Sequence, residues 1–288
     1  MWIVGGLAVW VVVAVALGVV LGRGIRLADR YSPGTGVDRP LTTAALGGAP
    51  AVARPARRRV PLPPVGVGLA FLAVALEAAG YAMRLRGTTG QVAHLLSMDA
   101  PGSLPRLYVA ALFGAAAMAA VAGAARNAGR RTWWLAVGVV TAGISVVKAG
   151  GTVHVTAMQA LASVVSPAGA TLVSALVAVA VLGVLAFASR TERRDRRRVL
   201  CTLGLFALAA VGLSAVSASV GSASVGSQWS AMATFVEESG EALSGVAVLV
   251  AVLVGVAPRL VLPASWLRRR GDALSLDASA QRLPLKQD

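Results

Sequence analysis

Long apolar segments recur along the chain and are separated by shorter segments rich in polar residues. Seven of them reach the length of about 20 residues that an α-helix needs to cross a hydrocarbon core of about 30 Å. They lie near Trp2–Leu21, Val65–Met83, Pro105–Ala125, Thr132–His154, Pro167–Ser189, Val199–Val220 and Ala231–Ala257. The pattern predicts an all-α fold, a seven-transmembrane-helix bundle within residues 1–267.

The segments between the predicted spans differ in length and composition. Residues 23–64 are rich in Pro, Gly and Arg and lack helical periodicity, so we expect a mobile cytoplasmic loop there. Residues 268–288 have a similar composition and form the predicted cytoplasmic tail. An apolar patch at Val92–Met98 is predicted to lie against the membrane surface. The first apolar segment has no basic segment before it and exceeds the usual signal-peptide core, which favours a retained helix.

Composition agrees with a membrane protein. Hydrophobic residues make up 57% of the chain and charged residues only 14%, which excludes an ordinary soluble domain. Cys201 is the single cysteine, so no intrachain disulfide can form. Arginine far outnumbers lysine and Ala, Val and Gly dominate, as in high-GC bacteria, so we expect a multi-pass protein of the bacterial plasma membrane.

The net charge of +15 has a topological interpretation. If the seven helices alternate, 23 of the 27 basic residues fall on one side, in Arg23–Arg59, Arg126–Arg131, Arg190–Arg198 and the segment after Pro258. The positive-inside rule makes that side cytoplasmic and predicts an N-terminus outside and a C-terminus in the cytoplasm. It also disfavours nucleic acid as a partner, and leaves contact with anionic lipid headgroups as a secondary role of the arginines.

Four glutamates lie inside predicted spans, where carboxylates are costly and are functional candidates by default. Glu77 is in the second span, and Glu237, Glu238 and Glu241 are in the seventh. Spacings of three and four residues place the last three on one side of a helix. We expect at least one of them to hold a proton, or a cation to lie among them.

Lys148 is the only lysine within a predicted span and lies at a similar depth to these acids, in the predicted outer half. With His154 nearby, these groups predict a polar site toward the outer leaflet. The candidate substrate-binding residues are Tyr81, Lys148, His154, Trp229 and Phe235. A structural alternative is an ion pair between Lys148 and a glutamate of the seventh span. A lone glutamate such as Glu77 is more often a hydrogen-bonding group between helices than a catalyst, and a histidine at a membrane boundary such as His154 is more often a surface or interface residue than a ligand.

Three motifs resemble a group of bacterial multipass membrane proteins of undescribed function. They are the stretch from Ser97 to Arg106, the pair Trp133 and Trp134, and the Glu-Glu-x-x-Glu pattern of the seventh span. In that group the fourth helix also carries an acidic pair followed by His-Glu. Here Lys148 and Ala149 stand at the acidic pair, and Val155 at the second acid, so the metal site that the resemblance implies loses most of its ligands.

The layout also resembles the seven-helix membrane-bound terpene cyclases of meroterpenoid and indole-terpenoid pathways, which carry key acids on helices 2 and 7. The resemblance implies acid-initiated carbocation cyclisation of a prenylated, isoprenoid-type substrate. Glu237 or Glu241 would then donate the proton, and Glu77 would be the opposing charge or terminal base. Aromatic side chains would stabilise the cation.

Two other function classes fit the same residues. In a proton- or cation-coupled transporter the acids bind the coupling ion and Lys148 is the exchanging partner. In a noncatalytic receptor or assembly subunit the buried charges only specify helix pairing. The sequence contains no nucleotide-binding loop, Ser-His-Asp arrangement or zinc motif, so we expect neither a cofactor nor a metal.

Overall fold

A computed structural model of the protein describes residues 63–150, 156, 159–160, 163–189, 193–223 and 228–262. These residues form helices and connecting turns, without a strand among them. The first predicted span, nearly all of the predicted loop 23–64, the tail 268–288 and His154 lie outside the described residues.

Nine α-helices follow one another in the described part of the chain. They are α1 (Pro64–Leu85), α2 (Gln91–Leu95), α3 (Leu104–Arg126), α4 (Arg131–Lys148), α5 (Pro167–Ala188), α6 (Arg193–Ala207), α7 (Ser214–Ala223), α8 (Gln228–Val256) and α9 (Pro258–Val261). A 3₁₀ turn at Ala128–Arg130 joins α3 to α4, and a π-helical segment at Leu208–Leu213 joins α6 to α7.

Proline and glycine set several helix boundaries. Pro64 and Pro167 each occupy the first position of a helix, where the missing N–H costs no intrahelical bond. At the other end of α4, Gly150 has a φ of 102° and donates its N–H to the carbonyl of Val147. This turn ends α4 at Lys148, short of the predicted end of the fourth span at His154.

Five helical segments among the described residues are long and apolar enough to cross a membrane. They are Pro64–Leu85, Leu104–Arg126, Ala168–Ala188, Asp195–Ala223 and Gln228–Val256, and they correspond to the second, third, fifth, sixth and seventh predicted spans. Large apolar side chains such as Phe71, Met118 and Val139 are exposed on the outside of these and neighbouring helices. The length, composition and apolar surface of the helices indicate a multipass membrane protein in a lipid bilayer.

The core is built around α8, which packs against α1, α3, α6 and α7. Trp134 and Phe113 are fully buried in it, together with aliphatic residues of α8 such as Val248 and Val252. A Cβ on Gly255 would lie 2.5 Å from Cη2 of Trp134, so only glycine lets α8 approach the indole this closely. Small residues at helix contacts are the usual solution in membranes, where close packing drives helix association.

Contacts between helix ends define two chemically different ends of the bundle. Arg84 at the end of α1 reaches Thr234 early in α8, whereas Asp195 early in α6 lies near Gly255 at the end of α8. At the arginine-rich end, defined by Arg126, Arg130, Arg131, Arg196 and Arg197, Arg130 pairs with Asp195 at 3.0 Å. This pair joins the α3–α4 and α5–α6 connections, two of the basic segments that the sequence places on one side. We call the opposite end the Asp99 end; it contains Arg84, Asp99, Arg106, Lys148 and Thr234.

Candidate functional site

Lys148, the last residue of α4, forms a buried ion pair with α8. Its Nζ contacts Oε2 of Glu241 and lies 3.7 Å from Oε2 of Glu238. Lys148 is 8% exposed, and Glu238 and Glu241 are 6% and 3% exposed. The structural alternative raised by the sequence is therefore present: one ammonium group ties α4 to two carboxylates one turn apart on α8.

Glu77 of α1 is the fourth buried charged residue of this site. It is 1% exposed, and its Oε2 has no hydrogen-bond partner among the described residues. The ring of Tyr81, one turn after Glu77, lies 5.0 Å from that of Phe235, one turn before Glu238, so Glu77 faces the part of α8 that carries Glu238. The side chains that the sequence predicts to share a depth thus come together on three helices, and we call Glu77, Lys148, Glu238 and Glu241 the charge cluster.

The charge cluster contains more acidic groups than its ammonium group can neutralise. Lys148 offsets the charge of one carboxylate, and in a low-dielectric interior a second and third carboxylate raise the free energy steeply unless they bind a proton or a cation. The arrangement is therefore suited to taking up and releasing a proton.

An aromatic layer lies next to the charge cluster on the side of the Asp99 end. Tyr81 follows Glu77 by one turn of α1, and Phe235 precedes Glu238 by one turn of α8. Their ring centroids are 5.0 Å apart and the rings are tilted by 31°. Phe235 is buried and Tyr81 half-buried, so two of the predicted substrate-binding side chains do adjoin the acids.

A polar layer follows beyond the aromatic pair. Arg84, one turn after Tyr81, approaches Oδ2 of Asp99 at 3.3 Å and donates to Oγ1 of Thr234 at 3.5 Å. Charged, aromatic and polar side chains therefore succeed one another along the seam between α1 and α8. The spacing from Glu77 to Arg84 corresponds to about 10 Å along the helix axis.

Other predicted site residues are less closely connected with the charge cluster. Glu237 is half-buried, and within the described segments no ion pair joins it. Trp229 begins the first turn of α8 and is 57% exposed. His154, the remaining predicted site residue, lies outside the described residues.

Arg106 is a polar residue of this region that sequence reasoning did not select. Its Nη1 donates to the backbone oxygen of Asp99 at 2.9 Å, while its Nε is buried without a partner in the part of the chain that the structure describes. It lies in the first turn of α3 and interacts electrostatically with Glu77, Lys148 and Glu238. An arginine that begins an apolar span directly after a Pro-Gly-rich loop was the available signal.

The π-helical segment packs against α8 between the two paired acids. A Cβ on Gly240 would lie 3.0 Å from Cδ1 of Leu213 and 3.4 Å from Cβ of Ala209. Glycine at this position therefore allows the widened turn to approach the helix that carries Glu238 and Glu241. Single π-helical turns occur often at functional sites, because they shift the register of the side chains that follow.

The ligands for a metal are not assembled among the described residues, where no group of three or more His, Cys, Asp or Glu side chains could hold an ion. The reason lies on α4, where Lys148 occupies the position facing the acids of α8. The ammonium group of Lys148 thus supplies the positive charge that a bound metal ion would otherwise supply to Glu238 and Glu241.

No protein-family model, no curated protein and no solved structure matches the chain. The resemblance to bacterial multipass proteins therefore remains a prediction from three motifs. Those motifs lie in the loop before α3, in the first turn of α4 and in α8.

Proposed function

We propose that the protein is a proton- or cation-coupled membrane transporter whose coupling site is the charge cluster. The observation that carries this proposal is the ion pair of Lys148 with Glu238 and Glu241. Beside it lies the buried carboxyl group of Glu77, whose Oε2 has no hydrogen-bond partner among the described residues. Ionisable groups at such depth are expensive, and proton relays and ion pathways are their commonest use in membranes.

The cluster supports coupling because its charges can adopt two pairings. When Glu238 and Glu241 are ionised, Lys148 binds them and holds α4 against α8. Protonation of one of them weakens this bond and frees Lys148 to turn toward Glu77. Because Lys148 is the last residue of α4, a change of pairing at this point alters how α4 and α8 fit together, which is the kind of two-state element that coupling requires.

The proposal includes a membrane topology. Seven spans, an N-terminus outside and a C-terminus in the cytoplasm of a bacterial plasma membrane are supported by the five described spans and by the arginines at one end of the bundle. In this orientation the arginine-rich end faces the cytoplasm and contacts anionic headgroups, and the charge cluster lies in the half of the bundle nearer the outside.

Proton flux into proteoliposomes tests the transport proposal. With a pH gradient and a fluorescent pH indicator inside the vesicles, the wild-type protein should give a flux that Glu238→Gln reduces to the level of empty vesicles. Asp195→Asn is the matched control, because it removes one carboxylate from an ion pair at the arginine-rich end. Wild-type flux in Glu238→Gln, or an equal loss in Asp195→Asn, would contradict the proposal.

A membrane-embedded isoprenoid cyclase is a second candidate, favoured by the contact of Tyr81 with Phe235 one turn from the acids. Aromatic faces beside a carboxyl group can stabilise a carbocation. Lys148 holds Glu241 as a paired carboxylate, so Glu77 would be the proton donor in this case. Cyclisation of a prenylated substrate by the purified protein, lost in Glu77→Gln, would support it. Unchanged cyclisation in Glu77→Gln, Glu237→Gln and Glu241→Gln would exclude these acids.

A further inference from the structure

Residues 96–103, which we call the Asp99 loop, cover the end of the α1–α8 seam above the charge cluster. The loop backbone touches α1 at Gly80, where a Cβ would lie 2.3 Å from the carbonyl oxygen of Leu96 and 2.9 Å from Cγ of Met98. Met98 is 1% exposed although it lies in a loop at the end of the bundle. Gly80 is one turn from Glu77, so the Met98 side chain lies close above the cluster.

The same loop is held in place by bonds of partly exposed polar groups. Asp99 accepts a hydrogen bond from Ser97 Oγ at 2.9 Å and pairs with Arg84 at 3.3 Å, while Arg106 donates to its backbone oxygen at 2.9 Å. The Arg84 and Asp99 side chains are 41% and 53% exposed, so their pair is hydrated and weak. The Asp99 loop thus combines a buried apolar side chain with a latch that water can compete for.

We propose that the Asp99 loop is the entry gate of the charge cluster, with Met98 as its plug and the Arg84–Asp99 pair as its latch. This inference rests on the proposed function, because it describes how hydrated protons or small cations reach the same acids. When the latch opens and Met98 leaves Gly80, the layer of Tyr81 and Phe235 is what remains of the described cover between the solvent at the Asp99 end and Glu77.

The gate is placed on the Asp99 side because the charge cluster is nearer that end. Toward the arginine-rich end the bundle continues as a packed core that includes Phe113, Trp134 and Val252. Toward the Asp99 end, the described residues that cover the cluster along this seam are the loop and one aromatic pair. A route along the α1–α8 seam therefore needs the smallest rearrangement of packed side chains.

Cysteine labelling tests the gate in purified protein in detergent. The reporter is Met98→Cys in a Cys201→Ala background, because Cys201 is the single cysteine and is exposed. A hydrophilic maleimide should label Met98→Cys slowly compared with Thr88→Cys, which is exposed. Adding Asp99→Asn should raise the labelling rate of Met98→Cys about three- to fivefold, as expected for the loss of one exposed ion pair. Asp195→Asn should leave the rate unchanged.

Two further variants keep the outcome informative. Gly80→Ala should also accelerate labelling, since its Cβ displaces the loop backbone, and Arg84→Gln breaks the latch from its other side if Asp99→Asn does not fold. Labelling of Met98→Cys as fast as Thr88→Cys, or rates unaffected by Asp99→Asn, Arg84→Gln and Gly80→Ala, would overturn the gate. Accelerated labelling in a protein without proton flux would keep the gate and refute the transporter.

Discussion

Among single residues, Lys148 is central to the proposed coupling site, because its buried ammonium group holds α4 to the acids of α8. Replacing Lys148 by Met leaves Glu238 and Glu241 buried without their counter-ion, and such a loss costs about 3–5 kcal/mol in free energy of unfolding. Denaturation of the purified protein by SDS, followed by circular dichroism, measures this change. Wild-type stability of Lys148→Met would show that the ion pair does not hold α4 to α8.

A double variant separates pairing from coupling. Lys148→Glu combined with Glu241→Lys restores one ion pair and should recover much of the stability that either change alone removes. If the protein is a noncatalytic subunit, this exchange is harmless to its function. In the transporter the reversed pair presents a carboxylate from α4 to Glu77, so proton flux should stay low although the protein is folded.

The residue patterns predicted part of this site. Spacings of three and four residues placed Glu237 and Glu238 on one side of the helix with Glu241. The rarity of charges in apolar segments singled out Lys148 and Glu77. The sequence could not show that Oε2 of Glu77 has no hydrogen-bond partner in the described part of the chain, or that Met98 leaves the surface to pack on Gly80. Both features depend on contacts between segments that are distant in the sequence, and such contacts produce no pattern in the spacing of apolar residues.

At the scale of helices, close approach across glycine determines packing. Gly255→Ala should destabilise the protein by about 1–3 kcal/mol, because its Cβ would overlap the ring of Trp134, which is buried and cannot move aside. Gly183→Ala in α5 is the matched control: nothing lies within 4 Å of its added Cβ, so it should be neutral or slightly stabilising. Thermal unfolding in detergent compares the two, and equal effects would contradict the packing argument.

Hydropathy predicted five of the spans, because a spanning segment must be apolar throughout its length. The first predicted span lies outside the described residues, and α4, in the fourth, is not among the five helices that are long and apolar enough. The ends of the helices were harder to predict. α4 stops at Lys148 since Gly150 turns the chain with a positive φ, while the apolar pattern continues beyond it. The π-helical segment between α6 and α7 was also not foreseen, because its sequence is as apolar as the α-helices on either side.

In the molecule as a whole, apolar side chains lie outside and charged ones inside the bundle, as expected for a protein in a bilayer. Exposed positions on the helices carry Phe, Val, Leu and Met, whereas Glu77, Lys148, Glu238 and Glu241 are buried. Most of the described arginines lie at one end of the bundle, although Arg84 and Arg106 lie at the other. This distribution is the basis of the proposed topology, in which the arginine-rich end faces the cytoplasm.

Reporter fusions test that orientation. Alkaline phosphatase inserted at Gly90, in the loop between α1 and α3, should be active in bacterial cells, since the phosphatase folds only outside the cytoplasm. A green fluorescent protein fused after Asp288 should fluoresce, because it matures in the cytoplasm. Activity of the phosphatase at Gly129, beside the arginine-rich end, would contradict the topology.

The proposal that the charge cluster takes up and releases protons is tested most directly by the proton flux of Glu77→Gln in proteoliposomes. The unfolding midpoint of the same variant is measured with it. Glu77 Oε2 has no hydrogen-bond partner among the described residues, so an uncharged isostere should keep or raise stability. We expect the Glu77→Gln protein to be folded, with wild-type stability or higher, and its proton flux to fall to that of empty vesicles. A folded Glu77→Gln variant that carries protons at the wild-type rate would contradict the proposal.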